Sequence, residues 1–458
     1  MAFDFPNSPT VGQTWPTTPV SGQPVYTWDG EKWTSGAAFG PIYVNDNPPA
    51  APPGSLWWES DTGILYVNYY DGNSTQWVAI AGLTPGTVRY DSAQSLTAAQ
   101  QVQARQNIYA APFDALAYSG MQINGSMEVS QENGTTSIPL TNGVVKQTID
   151  GFIGYAASSA GVFSLQQIVP PGAPSFGAAF QSCLQMKATT GGTPSAGESF
   201  TIAQNLEGYR VARLGFGNSA AQPISIGFWV YTTIAGTMGV QLGNSAGNRN
   251  CFANVVINSA ATWEFKTVTI PGDISGTWLN TNGIGLRLRF CCGCDAALQG
   301  TANVWGSSLF LGSSAQTNFF VTTNNVVCIT GLVVLPGIEA PSVARAPFIM
   351  RPFDQELLLC QRYLEPITMG SVGQVSSTST VILSTAFRTI KRVSPILLAP
   401  AGTVSVYANG TFNSTAAPTI GAGDLTGGTI NAGGFSGMTG NLTAFLTAHP
   451  GLKFDARL

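Results

Sequence analysis

The chain has one histidine, His449, close to its C-terminal end. A Ser-His-Asp or Cys-His group would have to be assembled around it, which favours a structural role. Gly243-Asn244-Ser245-Ala246-Gly247 has the Gly-x-Ser-x-Gly spacing, but a nucleophile elbow needs a strand-to-helix turn, and this stretch lies in a strand-rich block where a loop is expected. The seven cysteines, Cys183, Cys251, Cys291, Cys292, Cys294, Cys328 and Cys360, are odd in number and unevenly spread. Cys291, Cys292 and Cys294 could approach a metal together with Cys328. Cys-x-x-Cys pairs are missing, however, and adjacent residues of a strand point to opposite faces. Buried thiols are expected, with no metal and no cofactor. Glu128, Glu132, Asp150, Glu198, Glu207, Glu264, Asp273 and Asp295 offer carboxylates for glycoside hydrolysis without a motif that selects a pair. No sustained rung-length repeat of a parallel β-helix is present. The expectation is a protein that is not an enzyme and has no catalytic residues.

The aromatic and amide side chains remain, and these bind sugars by ring stacking and neutral hydrogen bonds. Trp278-Leu279-Asn280-Thr281-Asn282-Gly283 combines an aromatic with two amides in a turn-like stretch, so Trp278, Asn280 and Asn282 are the candidate glycan contacts. Trp263, within an alternating strand, is expected in the core. Charged residues make up 9% of 458, where soluble domains carry roughly 25%. The net charge of −4 provides no basic field, which argues against nucleic-acid partners and for neutral or weakly charged sugars held in a salt-resistant way. The strongest apolar run, Ile329 to Ile338, contains Gly331, Pro336 and Gly337 and falls short of a membrane span. The opening Met1-Ala2-Phe3-Asp4-Phe5-Pro6 lacks the basic start and apolar stretch of a secretory signal. Synthesis in a reducing cytosol follows as the expectation.

The elements that must position these groups read as all-β. Residues 1–38 and 39–83 form two small modules, each closing on an aromatic hairpin signal: Tyr26-Thr27-Trp28-Asp29-Gly30-Glu31-Lys32-Trp33, then Tyr69-Tyr70-Asp71-Gly72-Asn73-Ser74-Thr75-Gln76-Trp77. Asp-Gly between apolar strands predicts a type I′ turn. Such small cores are rarely self-sufficient. In residues 84–118, a linker, Leu96 to Ile108 reads as a short helix with a capping box at Thr97 and Gln100. Its apolar residues Leu96, Val102 and Ile108 lie six apart, so helices of other subunits are expected to complete its packing. In 119–345, Asn124-Gly125, Asn133-Gly134, Asn142-Gly143 and Asp150-Gly151 recur at hairpin spacing. Strands are predicted at Ile224 to Tyr231, Trp263 to Ile270 and Gly285 to Phe290, within a jelly-roll-like β-sandwich. Residues 346–458 read as a small β domain opened by a helix whose apolar face is Leu357, Leu358, Cys360 and Leu364.

Three segments resemble tailed-bacteriophage virion fibres of the tail or head. Phe3-Asp4-Phe5-Pro6-Asn7-Ser8-Pro9 with Tyr26-Thr27-Trp28-Asp29-Gly30 is similar to a repeated appendage module, as is Pro53-Gly54-Ser55-Leu56-Trp57-Trp58. Leu96-Thr97 through Gln100 to Ala104-Arg105-Gln106-Asn107-Ile108 is similar to a motif that precedes distal fibre domains, with Tyr109-Ala110 where that family continues Gly-Ala. Gln355-Glu356-Leu357-Leu358-Leu359-Cys360-Gln361-Arg362-Tyr363 resembles the start of C-terminal domains in fibre and baseplate-type proteins. Together these cover roughly 130 residues, while the middle block resembles carbohydrate-binding modules in strand pattern only. The resemblance implies a homotrimeric fibre assembled in the host cytoplasm into a virion. Its partners would be head, collar or tail proteins and host-surface polysaccharide, with no nucleic acid and no membrane. Phe3, Phe5, Trp28 and Trp33 would pack into the particle or an adjacent module, and Leu96, Val102 and Ile108 into the trimer. A purely structural head, collar or neck protein and a glycan-cleaving spike are the alternatives.

Overall fold

A computed structural model describes residues 4–18, 25–35, 42–81, 95–108, 120–172, 174–176, 179–338, 342–343, 346–367 and 371–458. The protein is all-β, and among the described residues no helix is long and apolar enough to cross a membrane. The chain forms two units, residues 1–97 and 98–458. Within the first, β1 (Thr14–Trp15), β2 (Tyr26–Trp28) and β3 (Trp33–Ser35) make one antiparallel sheet. A second sheet holds β4 (Ile42–Asn45), β5 (Leu56–Glu59), β6 (Ile64–Tyr70) and β7 (Thr75–Ala81), with β4 parallel to β5.

Both predicted hairpins form, by a different turn. Type I′ needs positive φ at both central residues, whereas here only Gly30 (+113°) and Gly72 (+102°) take it. The aspartate replaces the missing geometry: Asp29 Oδ1 accepts from the amides of Glu31 and Lys32, and Asp71 Oδ1 from those of Asn73 and Ser74. The cores behind these hairpins are small. Trp57 and Ile64 are the buried apolar residues among those described in the first unit, with Trp57 stacked on Tyr66 at 4.8 Å.

In the second unit, α1 (Ala98–Asn107) begins after Thr97, in agreement with the predicted start. Two six-stranded sheets follow, built from β8 (Ile138–Leu140), β9 (Lys146–Gln147), β10 (Phe152–Ala157), β11 (Val162–Ile168), β12 (Cys183–Thr190), β13 (Ser199–Glu207), β14 (Ile224–Thr232), β15 (Gly236–Gly243), β16 (Asn250–Ile257), β17 (Glu264–Ile270), β18 (Ile284–Cys294) and β19 (Val326–Pro336). One sheet runs β16-β15-β18-β13-β10-β9 and the other β17-β14-β19-β12-β11-β8. Alternate residues of both face one core, where Phe228 meets Phe290 at 4.8 Å and Phe163 meets Phe200 at 4.4 Å across the sheets. Of the four recurrent Asn/Asp-Gly pairs, only Asp150-Gly151 closes a hairpin, between β9 and β10. Asn124 is instead fully buried, its side chain binding the backbone of Val129 and Asp150, because an amide in a dry site must satisfy its own polar atoms locally.

The predicted helix Phe353–Gln361 starts after Pro352, and its residues Leu357 and Cys360 pack inward. Leu358 is exposed and Leu364 has passed into β20 (Leu364–Pro366). The strands β21 (Val372–Ser377), β22 (Thr380–Ala386), β23 (Ile396–Leu398), β24 (Val404–Tyr407), β25 (Thr411–Ser414), β26 (Thr419–Gly423), β27 (Gly427–Ala432), β28 (Thr443–Ala448) and β29 (Lys453–Asp455) complete the chain around a separate apolar core. Charged groups stitch this part to the sandwich. Arg362 donates to Glu207 through Nε (2.9 Å) and Nη2 (2.6 Å), and Tyr363 Oη donates to the same carboxylate at 2.8 Å. Arg351 pairs with Glu356, which accepts from the Asn124 amide. Within the C-terminal part itself, the fully buried Lys391 pairs with Glu365. The Gln361-Arg362-Tyr363 stretch is therefore a seam, bonding one domain to the end of β13.

Candidate functional site

A cavity of about 510 Å³ lies on the outward face of the β16-β15-β18-β13-β10-β9 sheet. Strand alternation explains its lining. In β18, Leu286, Leu288 and Phe290 enter the core, so Arg287 and Arg289 emerge on the other side. In β13 the inward residues are Phe200, Ile202 and Leu206, leaving Ser199, Thr201, Ala203 and Asn205 outward. The register sets Arg289 opposite Ala203 on one side and Gln241 on the other, and Arg287 opposite Asn205. Tyr155 of β10 stands opposite Thr201. Small residues on β13 form the floor, and the long side chains beside them form walls.

A second wall comes from the loop after β18. Asp295 accepts from the Ala297 amide and caps the short turn Ala296–Leu298, which starts the loop back over the sheet. A Cβ on Gly239 would fall 1.9 Å from the Leu311 carbonyl oxygen, so glycine lets the loop close against β15. Gln316 fastens it, accepting from the Gly239 amide and donating to the Cys291 carbonyl. Leu298, Leu309 and Leu311 thereby line the cavity.

The electrostatics of the groove follow from burial. Arg289 donates through Nη1 to Gln241 Oε1 at 2.6 Å, and Gln241 is oriented by its own bonds to the Leu242 carbonyl and Asn250. Burial pushes the Arg289 guanidinium down to about 10, and Arg287 beside it adds to the shift. Burial alone lowers Arg287, which has no hydrogen bond or ion pair among the described residues. No Asp or Glu side chain lines the cavity, and Leu458, which does, takes the Asn205 Nδ2 donor on its main-chain oxygen at 3.5 Å. The groove is thus apolar on its walls and cationic along one strand, with hydroxyl, amide and phenol groups facing in.

The three candidate glycan contacts are only partly brought together. Trp278 packs its ring against Phe216 (4.9 Å) and Trp305 (5.5 Å), with its Nε1 donating to Asp273 Oδ2 and the Ser275 carbonyl, each at 3.2 Å. With Asn280 it lines a smaller cavity of about 140 Å³. Asn282 is elsewhere: its Nδ2 donates to the Arg392 carbonyl and its own carbonyl accepts from Arg392 Nη1, a clasp to the C-terminal domain. Trp263 is buried, with Nε1 donating to the Pro171 carbonyl. Phe5 stacks on Trp33 at 5.1 Å, and Trp28 meets Trp33 at 5.7 Å, so these three half-buried rings pack on one another; Phe3 lies outside the described residues. On or beside α1, Leu96 and Val102 are half-buried and Ile108 is exposed.

The remaining chemical groups have structural partners. His449 Nδ1 accepts from the amides of Gly451 and Leu452. Gly243 to Gly247 joins β15 to β16, two strands, so it is not an elbow. All seven cysteines are buried and free; Cys292 enters the main core while Cys291 faces the opposite side with Cys294. Among the described residues no three His, Cys, Asp or Glu side chains gather as a metal site. Asp273 pairs with Arg249, Glu264 with Lys266 and Glu132 with Arg457. Asp150 takes the backbone and side-chain N–H groups of Gln131, yet burial raises it to about 6.

Sequence reasoning passed over Arg287 and Arg289. The signal was the alternation Leu286-Arg287-Leu288-Arg289-Phe290 in a chain with so few charges: two cations on one face of a strand whose other face is core.

No protein-family model and no curated protein matches the chain. Similar solved structures include the enzymatically active domain of tailspike protein 4 of bacteriophage CBA120 (10% identity, 47% of this chain and 21% of that one, TM-score 0.24). This chain thus spans about a fifth of that tailspike. They also include a family 11 carbohydrate-binding module of Clostridium thermocellum, in complex with a β-1,3-1,4-mixed-linked tetrasaccharide (10% identity, 44% and 95%, TM-score 0.21). A third is the CBM22-1 xylan-binding domain of Paenibacillus barcinonensis (9% identity, 46% and 99%, TM-score 0.21).

Proposed function

We propose that the protein is a structural component of a phage virion, a trimeric fibre that binds a host-surface glycan without cleaving it, through the groove on the β16-β15-β18-β13-β10-β9 sheet. The observation that carries the binding reading is the cavity of about 510 Å³, within the range of ligand sites, with Tyr155, Thr201 and Asn205 turned into a trough whose walls are apolar. A tyrosine ring over a sheet face supplies a stacking surface, and hydroxyl and amide groups supply directional hydrogen bonds. The attachment and trimer parts rest on the fibre-like segments, on the small buried core, Trp57 and Ile64, among the described residues of the first unit and on the exposed Ile108 beside α1. Small cores of this kind gain burial from neighbouring copies.

The test is binding of the full chain to host cells or their purified polysaccharide, beside a Tyr155→Ala variant. Binding that falls at least tenfold in the variant, about 1.4 kcal/mol, supports the groove. Undiminished binding by Tyr155→Ala removes it as the site, and no binding by the intact protein favours a purely structural appendage. Light scattering of the same preparation should give three times the 47.8 kDa chain mass. A stable monomer at micromolar concentration would end the trimer assignment.

A further inference from the structure

We propose that the groove takes an acidic saccharide, with Arg287 and Arg289 holding an anionic substituent of the sugar while Tyr155 lies along a ring. This deepens the groove reading above and rests on it. The composition pointed toward neutral sugars; the local charge of the groove points the other way. Of the 19 lysines and arginines in the chain, two stand at i and i+2 on the same strand face, about 7 Å apart along β18. Elsewhere in the second unit, Arg249, Arg351, Arg362 and Lys391 meet the carboxylates of Asp273, Glu356, Glu207 and Glu365, while Arg210 and Arg392 are held by backbone carbonyls. Arg289 meets only the neutral Gln241, and Arg287 meets none of the described groups.

An unpaired, partly desolvated guanidinium costs stability, so its retention in a trough is explained by a partner that arrives from outside. Guanidinium forks bind carboxylate, sulfate and phosphate oxygens with paired N–H donors, and such charge-assisted bonds are roughly twice as strong as neutral ones. Gln241 fixes one fork before the ligand arrives, and its own two hydrogen bonds keep it from swinging into the groove. The nearest acidic residue of the wall loop, Asp295, is occupied by the backbone amides of Gly197 and Ala297 and does not line the cavity.

The experiment uses the full chain in titration calorimetry with three probes: hexagalacturonate, its carboxyl-reduced neutral counterpart and a sulfated galactose hexasaccharide. Each is measured at about 50 and about 500 mM NaCl, which shortens the screening length severalfold. The expected result is an acidic probe bound at least tenfold more tightly than the neutral one, with the preference shrinking in high salt. Arg287→Gln should bring the acidic and neutral affinities within about twofold of each other, and Arg287→Lys should retain part of the preference, since charge survives while the fork is lost. Tighter binding of the sulfated probe than of the uronate supports the inference with sulfate as the anion. Equal binding of acidic and neutral probes, unchanged by Arg287→Gln but lost in Tyr155→Ala, overturns the acidic inference and leaves the groove standing. Binding of none of the three overturns this inference, and it overturns the groove as well when host polysaccharide also fails to bind. Native unfolding profiles for the variants keep each outcome interpretable.

Discussion

The two outer faces of the sandwich are built from the same strand alternation and end in opposite states. Behind β14 and β19, Trp229, Trp263, Phe180, Cys183 and Cys328 form a closed apolar layer, with Phe176 meeting Trp229 at 5.0 Å and Trp263 at 5.2 Å. Behind β13 and β18 the outward residues are small or cationic, and the 295–319 loop leaves a trough over them. Both faces carry side chains of a β-sandwich, so fold alone does not distinguish them. The difference lies in what covers each face: an aromatic strap that excludes water in one case, and a wall that stops at β15 in the other. Outward-facing aromatics on a sheet are therefore not by themselves a sugar platform, and a row of small residues beside two arginines is the more informative pattern.

The largest effect that would break this contrast is on the sealed face. Trp263→Ala removes a buried ring and its hydrogen bond to Pro171, and should cost about 3–5 kcal/mol in urea unfolding. Glycan affinity per folded molecule should stay within about twofold, because the substitution is confined to the face opposite the groove. A cost below about 1 kcal/mol would show that this face is not sealed.

An intermediate effect sits at the β9–β10 turn, at the edge of the groove sheet. Burial raises the folded Asp150 carboxyl to about 6 from 3.8. Below about pH 3 the acid is protonated in both states and costs nothing. As pH rises toward 6 and beyond, the unfolded chain ionises freely while the folded one must hold a buried carboxylate, so stability falls. The shift of about two units corresponds to roughly 3 kcal/mol lost across this window. Asp150→Asn keeps an acceptor for the Gln131 amide, and the wild-type-minus-variant difference in unfolding free energy should fall by that amount between about pH 3 and 7. A difference independent of pH would disprove the assignment.

The smallest effect belongs to the open face. Arg287→Gln removes an unpaired, half-desolvated cation, and stability should remain within about 1 kcal/mol of wild type, on the more stable side. A loss of several kcal/mol in thermal or urea unfolding would mark Arg287 as part of the structural framework and remove the contrast between the faces.

Strand periodicity was legible because burial on one side of a sheet imposes a period of two: Ile224 to Tyr231 and Gly285 to Phe290 both fall within observed strands. The burial of the cysteines was legible from their odd number and uneven spread, which fit neither a disulfide framework nor a metal site. Turn geometry was less so, since Asp-Gly is compatible with several turns, and at Asp29 and Asp71 the side chain decided among them. The glycan contacts were read from residue type in a loop. Trp278 carries the right ring for stacking, but whether that ring is free depends on Phe216 and Trp305, distant in sequence from each other.

By itself the sequence determined the all-β class, the positions of the main strands, the helix start after Thr97 and the inward and outward faces of β18. These depend on local propensity and on alternation, which act between near neighbours. Tertiary structure alone decided that Asn282 clasps Arg392, that Glu207 ends in a seam with Arg362 and Tyr363, and that Arg287 and Arg289 share a trough with Tyr155. Each of these joins residues brought together by strand order in a sheet or by domain docking. A pairing across β10, β13 and β18 is set by the burial of a whole core, and no local pattern encodes which strands will be neighbours.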